Sequence, residues 1–368
     1  MNFWYPVAAS DAVTNDKPHR ARILTLDFVA FRDRAGQAHV LSGTCSHRGA
    51  ALGKGKIKGD CVECPYHGWQ YGGDGHCTRI PSLADNDKPP PRAKVDSYPV
   101  QEKYGIVFAF LGDLPEAERP PLWDITEYSD PAWRANKLVV FEVDYYYERS
   151  VENGLDPTHN EFVHPKQGTP GLRQDFRTKP IEVEDIGSFG SKFMIPFTQH
   201  EGGIMGNEME RDAQYLKGGS GHLGPNTLIT WLQFSKNSIF HQYFFEAPID
   251  EARTRIFFVN MRRFMLEPEH DQRIIDMNME ITQEDIDLLV DLNPVRTPHS
   301  TTQELLVPAD RPIVRYRQYL NEWQERGWRL DLGKLRAMRG DVAVAIPCPD
   351  RRVHKNWVLP PAPTVQPR

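Results

Sequence analysis

Apolar and polar positions alternate in short runs along the first third of the chain. "RILTLDFVAFRD" (22–33) alternates, "RAGQAHVLS" (34–42) supplies a glycine turn and a second run, and "YGIVFAFLGD" (104–113) is nearly continuous apolar. A period of two with glycine punctuation predicts strands, so residues 22–112 read as a small all-β unit. Successive prolines in "NDKPPPRAKVDSYPV" (86–100) fix φ and remove donors, which predicts an extended segment wrapping that unit. A second proline cluster, "LPEAERPPLW" (114–123), follows the last strand and marks the expected boundary, dividing the chain into 1–115 and 116–368.

Beyond the boundary, "LVVFEVDYYYERSVEN" (138–153) reads as a strand feeding a helix. Five strand candidates follow: "IEVEDIG", "SKFMIPFTQ", "NTLITWLQFS", "SIFHQYFFEAPID" and "RTRIFFVNMRRF". In "EHDQRIIDMNMEITQEDIDLLVDLN" (269–293), Ile274, Met277, Ile281 and Leu288 recur at helical spacing and predict one long helix. Strands in series with helices at both ends imply an α+β class, an antiparallel sheet cradling helices. The glycine-rich stretch 200–226 reads as an interruption between strands, either a solvent loop or a lid over a pocket.

A chain of 368 residues exceeds the ~250–300 at which a single core stops growing, so two domains are expected. The net charge of −6, from 44 basic and 50 acidic residues, argues against coating nucleic acid or a membrane surface. The longest apolar run, Ile106 to Leu111, is far short of the ~18 residues that span a bilayer. "MNFWYPVAAS" lacks the basic and apolar regions of a secretory signal, so a cytoplasmic location is expected.

Four of the five cysteines, Cys45, Cys61, Cys64 and Cys77, fall within 33 residues, and only Cys348 stands apart. Clustered cysteine beside histidine points to metal rather than to a disulfide framework. Cys45-x-His47 and Cys64-x-x-His67 are separated by sixteen residues. Zinc accepts two thiolates and two imidazoles, but zinc fingers put both cysteines in one cluster and both histidines in the other. Here each cluster holds one of each. A binuclear iron-sulfur centre with two thiolates on one iron and two imidazoles on the other suits that mixing. Cys45-x-His47 and Cys64-Pro65-Tyr66-His67-Gly68-Trp69 resemble the two ligand loops of the Rieske family. The resemblance implies a 2Fe-2S cluster on Cys45, His47, Cys64 and His67, and it passes over Cys61.

Asn153, Asp156, His159 and His164 lie within twelve positions in "VENGLDPTHNEFVHP". By themselves they are consistent with a helix start capped by Asp156. Two histidines and a carboxylate also make the facial triad of non-haem iron oxygenases. His159 and His164 stand about 140° apart on a regular helix, so both reach one metal only if the helix is broken or bulged. D-x-x-H-x-x-x-x-H downstream of a Rieske motif resembles the catalytic half of Rieske oxygenase large subunits. That resemblance implies an Fe(2+) held by His159, His164 and an aspartate on a C-terminal helix, here Asp285 with Asp287 as the other candidate. It also implies that Asp156 bridges the cluster of one subunit to the iron of its neighbour, hence a ring, commonly a homotrimer.

The family reading assigns 1–115 to the Rieske domain and 116–368 to the catalytic domain. It implies a terminal oxygenase that mono- or dihydroxylates, or oxidatively demethylates, an apolar or aromatic small molecule with O2. No GxGxxG follows a strand, so a separate reductase, with or without a ferredoxin, must supply electrons. Phe193, Phe197, Trp231, Phe234, Phe240 and Tyr243 are candidates for either pocket lining or core. The alternatives are a Rieske electron carrier with a binding domain and a zinc-organised interaction protein.

Overall fold

The computed structural model describes residues 1–84, 86–164, 180–197, 212–298 and 301–366. The chain forms two compact units, Met1–Pro121 with Ala247–Glu251 and Trp323–Arg368, and Leu122–Glu246 with Ala252–Glu322. The return of Trp323–Arg368 to the first unit is anchored by Asp96, whose carboxylate accepts from Arg351 at 2.5 and 2.7 Å and from the Cys348 N–H at 3.0 Å.

Within the first unit, Met1–Pro121 is all-β around the expected motifs, and Trp323–Arg368 adds short helices at Leu332–Met338 and Asp350–Val353. Its strands in chain order are β1 (Phe3–Ala9), β2 (His19–Ile23), β3 (Leu26–Arg32), β4 (Ala38–Ser42), β5 (Lys56–Lys58), β6 (Cys61–Glu63), β7 (Gln70–Gly72), β8 (Cys77–Arg79), β9 (Ser97–Tyr98), β10 (Val100–Lys103) and β11 (Ile106–Leu111). They make three sheets, β1-β11-β10, β2-β3-β4-β9 and β5-β6-β7-β8. Every residue of β11 is buried because it is the central strand of its sheet, which explains the unbroken apolar run. "RILTLDFVAFRD" is not one strand. A hairpin divides it at Leu24 and Thr25, both with positive φ (53° and 67°), and their N–H groups donate to Pro248 and Ile249.

The second unit carries one nine-stranded antiparallel sheet and the helices that lie on it. Its elements are β12 (Arg134–Ala135), β13 (Val139–Val143), α1 (Tyr147–Leu155), α2 (Asn160–Val163), β14 (Glu184–Ile186), β15 (Gly190–Lys192), β16 (Ile195–Pro196), β17 (Lys217–Leu223), β18 (Thr227–Gln233), β19 (Ile239–Pro248), β20 (Thr254–Arg262), α3 (Asp271–Leu289) and α4 (Arg311–Glu325). The sheet order is β12-β20-β19-β18-β17-β15-β14, with β13 on β20 and β16 on β17. The α+β expectation holds.

One expectation needs correction. Of the stretch 200–226, residues 200–211 lie outside the described residues, but 217–223 is strand β17 rather than loop. Its glycines serve close packing: a Cβ at Gly219 would stand 2.0 Å from the Phe193 carbonyl oxygen. Among the described residues no helix is long and apolar enough to cross a membrane.

Candidate metal centres

The two Cys/His loops of the first unit are built alike. The Cys45 N–H donates to Ala50 O at 2.9 Å while the Gly49 N–H returns to Cys45 O at 3.0 Å. In the same way the Cys64 N–H donates to Trp69 O at 2.8 Å and the Gly68 N–H to Cys64 O at 3.1 Å. Gly49 and Gly68 close these turns at φ of 72° and 70°, a region that residues with a Cβ seldom enter. Matched loops present matched ligands. Cys45 and Cys64 are buried, at 2% and 3% exposure, whereas His47 and His67 are exposed, their ring centroids 4.6 Å apart. Paired thiols inside and paired imidazoles outside fit a two-iron cluster with one iron of each kind, not a single tetrahedral ion.

The protonation chemistry agrees. Burial pushes the Cys45 thiol up, against the pull of the Tyr71 hydroxyl 3.2 Å away, so its thiolate needs a metal partner. Desolvation, then the nearby His67 and Arg48, hold His47 below the ordinary imidazole value, which favours the neutral ring that binds metal. Tyr71 is fully buried and also lies 3.0 Å from Ser46 Oγ. A hydroxyl donated to a cluster thiolate stabilises the more negative, reduced state. Tyr71→Phe is therefore expected to lower the cluster potential by roughly 40 mV, taking the bond at about 1 kcal/mol. Redox titration of the cluster's magnetic-resonance signal checks this, and an unchanged midpoint would remove Tyr71 from that role.

In the second unit, α1 ends at Leu155 because Asp156 precedes Pro157 and takes an extended conformation, φ −93° and ψ 107°. A single turn, α2, follows. His159 and His164 flank it, and His164 leaves helical geometry at φ −114° and ψ 63°, so residues five apart face one point. His159 Nε2 lies 3.6 Å and His164 Nε2 3.2 Å from Asp285 Oδ1. Among the described residues this trio is the one group of three or more His, Cys, Asp or Glu whose ligand atoms all fall within 4.8 Å of one another. Neighbouring ligands about 2.1 Å from a metal stand ~3 Å apart, so the trio fits a facial triad. Asp287, the other candidate, is exposed and accepts from Gln283 at 2.7 Å.

Both ring orientations are set by hydrogen bonds on the far nitrogen. The His159 Nδ1–H donates to the main-chain oxygen of Asp156 at 2.5 Å, and the His164 Nδ1–H donates to Glu284 Oε2 at 3.0 Å. Each leaves Nε2 as the lone-pair nitrogen facing Asp285. Asn153 Nδ2 donates to Asp285 Oδ1 at 3.0 Å. Burial lowers the proton affinity of His164, yet hydrogen bonds and charge from Asp285 and Glu284 outweigh it and raise the group above its ordinary value. A carboxylate pair that favours positive charge at His164 despite burial also suits a cation. The Asp156 carboxylate meets Thr158 rather than the His159 ring, its Oδ1 accepting from the Thr158 N–H at 2.7 Å and hydroxyl at 2.5 Å. Sequence reasoning missed Glu284 and gave Asn153 no role. The only available signal was that Glu284 immediately precedes Asp285.

Comparison with known proteins bears on both centres. The Rieske 2Fe-2S domain family matches residues 3–99, and the family described as the vanillate O-demethylase oxygenase C-terminal domain matches residues 143–326, half of the chain. This chain belongs to the Rieske non-haem iron oxygenase family. The alpha subunit of phenoxybenzoate dioxygenase from Ectopseudomonas oleovorans is 33% identical over 204 residues, 50% of this chain and 48% of that one. A 4beta-methylsterol monooxygenase from Methylococcus capsulatus is 30% identical over 278 residues, 73% of this chain and 69% of that one. Among solved structures, NdmA of Pseudomonas putida CBB5 with caffeine superposes with a TM-score of 0.70 at 23% identity, covering 87% of this chain and 90% of that one, a likeness of fold. The matched region spans about half the length of the first relatives, 48% and 53% for two of them.

Strand alternation divides the aromatic residues that the sequence offered to this Rieske oxygenase's pocket. Phe240 packs with Ile274 and Met277 of α3, and Phe234 joins the same cluster. Phe197 meets Phe234 with ring centroids 5.9 Å apart. Phe193 is buried at 3% exposure. Trp231 and Tyr243 point to the opposite face, toward Trp123, with centroids 6.1 and 6.5 Å away.

Proposed function

We propose that the chain is a terminal oxygenase component that hydroxylates or oxidatively demethylates a small aromatic or apolar molecule, with electrons delivered by a separate reductase. The observation that carries the reading is the convergence of His159 and His164 on Asp285 in a chain that also holds the matched Cys/His loops. Cys45 and Cys64 would hold one iron of the cluster, His47 and His67 the other, and His159, His164 and Asp285 the mononuclear iron. When bound, the cluster supplies single electrons and the mononuclear iron supplies dioxygen activation.

The chain's own groups prepare the site for that chemistry. The Asp156 carbonyl and Glu284 fix the imidazole tautomers, and Asn153 holds the carboxylate oxygen of Asp285 in place. The Asp156 carboxylate is the proposed bridge to a cluster histidine of a neighbouring copy in a homotrimer, a reading drawn from the family resemblance together with the half-buried position of Asp156 beside His159. A cytoplasmic location and a role in breaking down aromatic compounds accord with this reading.

The test is single-turnover kinetics on the reduced protein, with O2 and substrate drawn from a screen that follows oxygen uptake and product mass. Substrate-dependent reoxidation of the cluster with product formation is expected. Asp156→Asn should keep both centres filled and slow that reoxidation by roughly 10–100-fold, the usual scale for groups that orient metal ligands. Reoxidation at the unsubstituted rate would end the bridging role.

A further inference from the structure

Strand alternation along β19 puts Phe244 and Glu246 on one face of the sheet. Phe244 packs with Tyr145, Ile286 and Leu289, so this face meets α3 at the residue that follows Asp285. Gly154 of α1 closes on Leu228, the cross-strand partner of Phe244, and a Cβ there would stand 2.2 Å from that leucine, so α1 covers the same end. Glu246 lies under this cover at 0% exposure, and neither of its carboxyl oxygens makes a hydrogen bond. Its main chain is held on both sides, the N–H donating to Asn226 O at 2.8 Å and the carbonyl accepting from Asn226 Nδ2 at 2.9 Å. A strand packed under a helix needs an apolar side chain at such a position, and a carboxyl there is costly.

Burial pushes Glu246 up to about 8, and the Ser150 hydroxyl beside it opposes this only in part, so the carboxyl carries a proton at neutral pH. Polar groups lead from that proton toward the candidate iron site. Ser150 of α1, 8% exposed, also stands beside the hydroxyl of Tyr145, 4% exposed. Burial raises Tyr145 well above its ordinary value, and the charges of Glu246 and Asp285 both add to the rise, so this hydroxyl senses the acid on one side and the candidate iron ligand on the other. Asn153, one turn beyond Ser150 on the same helix, donates to Asp285 Oδ1 at 3.0 Å. The groups that face Glu246 are thus Tyr145 from the segment before α1, Ser150 from α1, Asn226 from the start of β18 and, through Tyr145, Asp285 from α3, with no cation among them.

We propose that Glu246 is an internal proton source for dioxygen reduction, acting through Ser150 and Tyr145 on the site formed by His159, His164 and Asp285. The proposal rests on the oxygenase reading, which makes dioxygen the electron acceptor. Hydroxylation joins a substrate C–H, O2, two electrons and two protons into an alcohol and water, and Glu246 supplies one of the two protons. Its O–H bond breaks as Ser150 Oγ gains that proton and passes its own to the Tyr145 oxygen, which releases the phenolic proton to the oxygen being reduced. Glu246 is left as a carboxylate and regains a proton from solvent between turnovers, while the electrons arrive from the reductase through the cluster.

The test uses the iron-loaded, fully reduced protein and O2 alone, which two electrons and two protons convert to hydrogen peroxide; Asp285→Ala supplies the background. Infrared spectra of the unsubstituted protein should show a protonated carboxyl band at neutral pH that fades as pH rises through about 8 and is missing from Glu246→Gln. The rate of reoxidation should fall over the same pH interval, whereas in Glu246→Gln it should be roughly tenfold or more lower and flat across that interval. Ser150→Ala should keep the band and still show the lowered rate. Cluster absorbance and iron content confirm that each variant is folded and loaded. The proposal is overturned by a missing band, by a band that survives in Glu246→Gln, by reoxidation no faster than the background, or by either variant reoxidising at the unsubstituted rate with the same pH profile. A failure of the oxygenase reading would show separately, as absent mononuclear iron in the unsubstituted protein before any rate is compared.

Discussion

Replacing Asp285 with alanine is expected to empty the mononuclear site and leave the cluster untouched. Iron should fall from about three to about two per chain, while the visible and magnetic-resonance spectra of the reduced cluster stay as they were. The reason is geometric: both Nε2 atoms converge on Asp285 Oδ1, so its removal takes away one ligand and the negative charge that balances the cation. Two imidazoles alone hold a ferrous ion weakly, and the loss of affinity should exceed the ~10–100-fold typical of groups that merely orient ligands. Substrate-dependent oxygen uptake should disappear with the iron. Asp287→Ala is the companion variant. Its side chain is exposed and bonded to Gln283, so iron content should not change. Full iron in the Asp285 variant, measured by elemental analysis beside acid-labile sulfide, would move the third ligand elsewhere.

Much of this was legible in the sequence because local chemistry agreed with the tertiary outcome. α3 declared itself through Ile274, Met277 and Ile281, all of which pack beneath it. The start of α2 was legible because Pro157 follows Asp156, whereas the non-helical His164 that lets the two histidines meet was foreseen only as a requirement of the metal reading. Other features depend on partners remote in the chain. The turn at Leu24 and Thr25 carries no glycine or asparagine, and its positive φ angles accompany hydrogen bonds to Pro248 and Ile249. β17 looked like a loop because its glycines, which make room for neighbouring strands, are also the residues of flexible segments. The tautomer-fixing role of Glu284 was invisible because a helical glutamate is ordinarily solvated. In "YYYERSVEN" the burial of Glu148, Arg149 and Glu152 was likewise not legible, because the partners Arg317 and Glu304 lie far along the chain.

Those buried charges lead to the largest expected loss of stability. Arg317 of α4 donates to Glu152 at 2.6 and 2.9 Å and to Glu304 at 2.6 Å, while Arg149 donates to Glu304 at 2.7 Å and to the Pro294 carbonyl at 2.8 Å. Glu152 and Arg317 are each 5% exposed, so water cannot replace a missing partner. Arg317→Ala should therefore destabilise the protein by about 3–5 kcal/mol, mainly because it leaves the buried Glu152 carboxylate with only the 3.2 Å bond from Arg149. Burial already pushes Glu152 above its ordinary value despite Arg317, and the substitution should push it further. A carboxyl whose folded-state value is raised contributes stability at low pH and loses it as pH climbs through that value. The deficit should therefore grow as pH rises from below the ordinary carboxyl range, as measured by denaturant unfolding at each pH. Glu152→Leu combined with Arg317→Met removes both charges and fills the space with apolar atoms, leaving Arg149 its bonds to Glu304 and Pro294, so most of the loss should return. A double variant as unstable as Arg317→Ala would mean that the arginine acts through packing rather than charge. α1 leads directly into Asp156 and His159, so whichever result is obtained also says how the polar anchor of that helix holds the candidate iron-binding His159 in place.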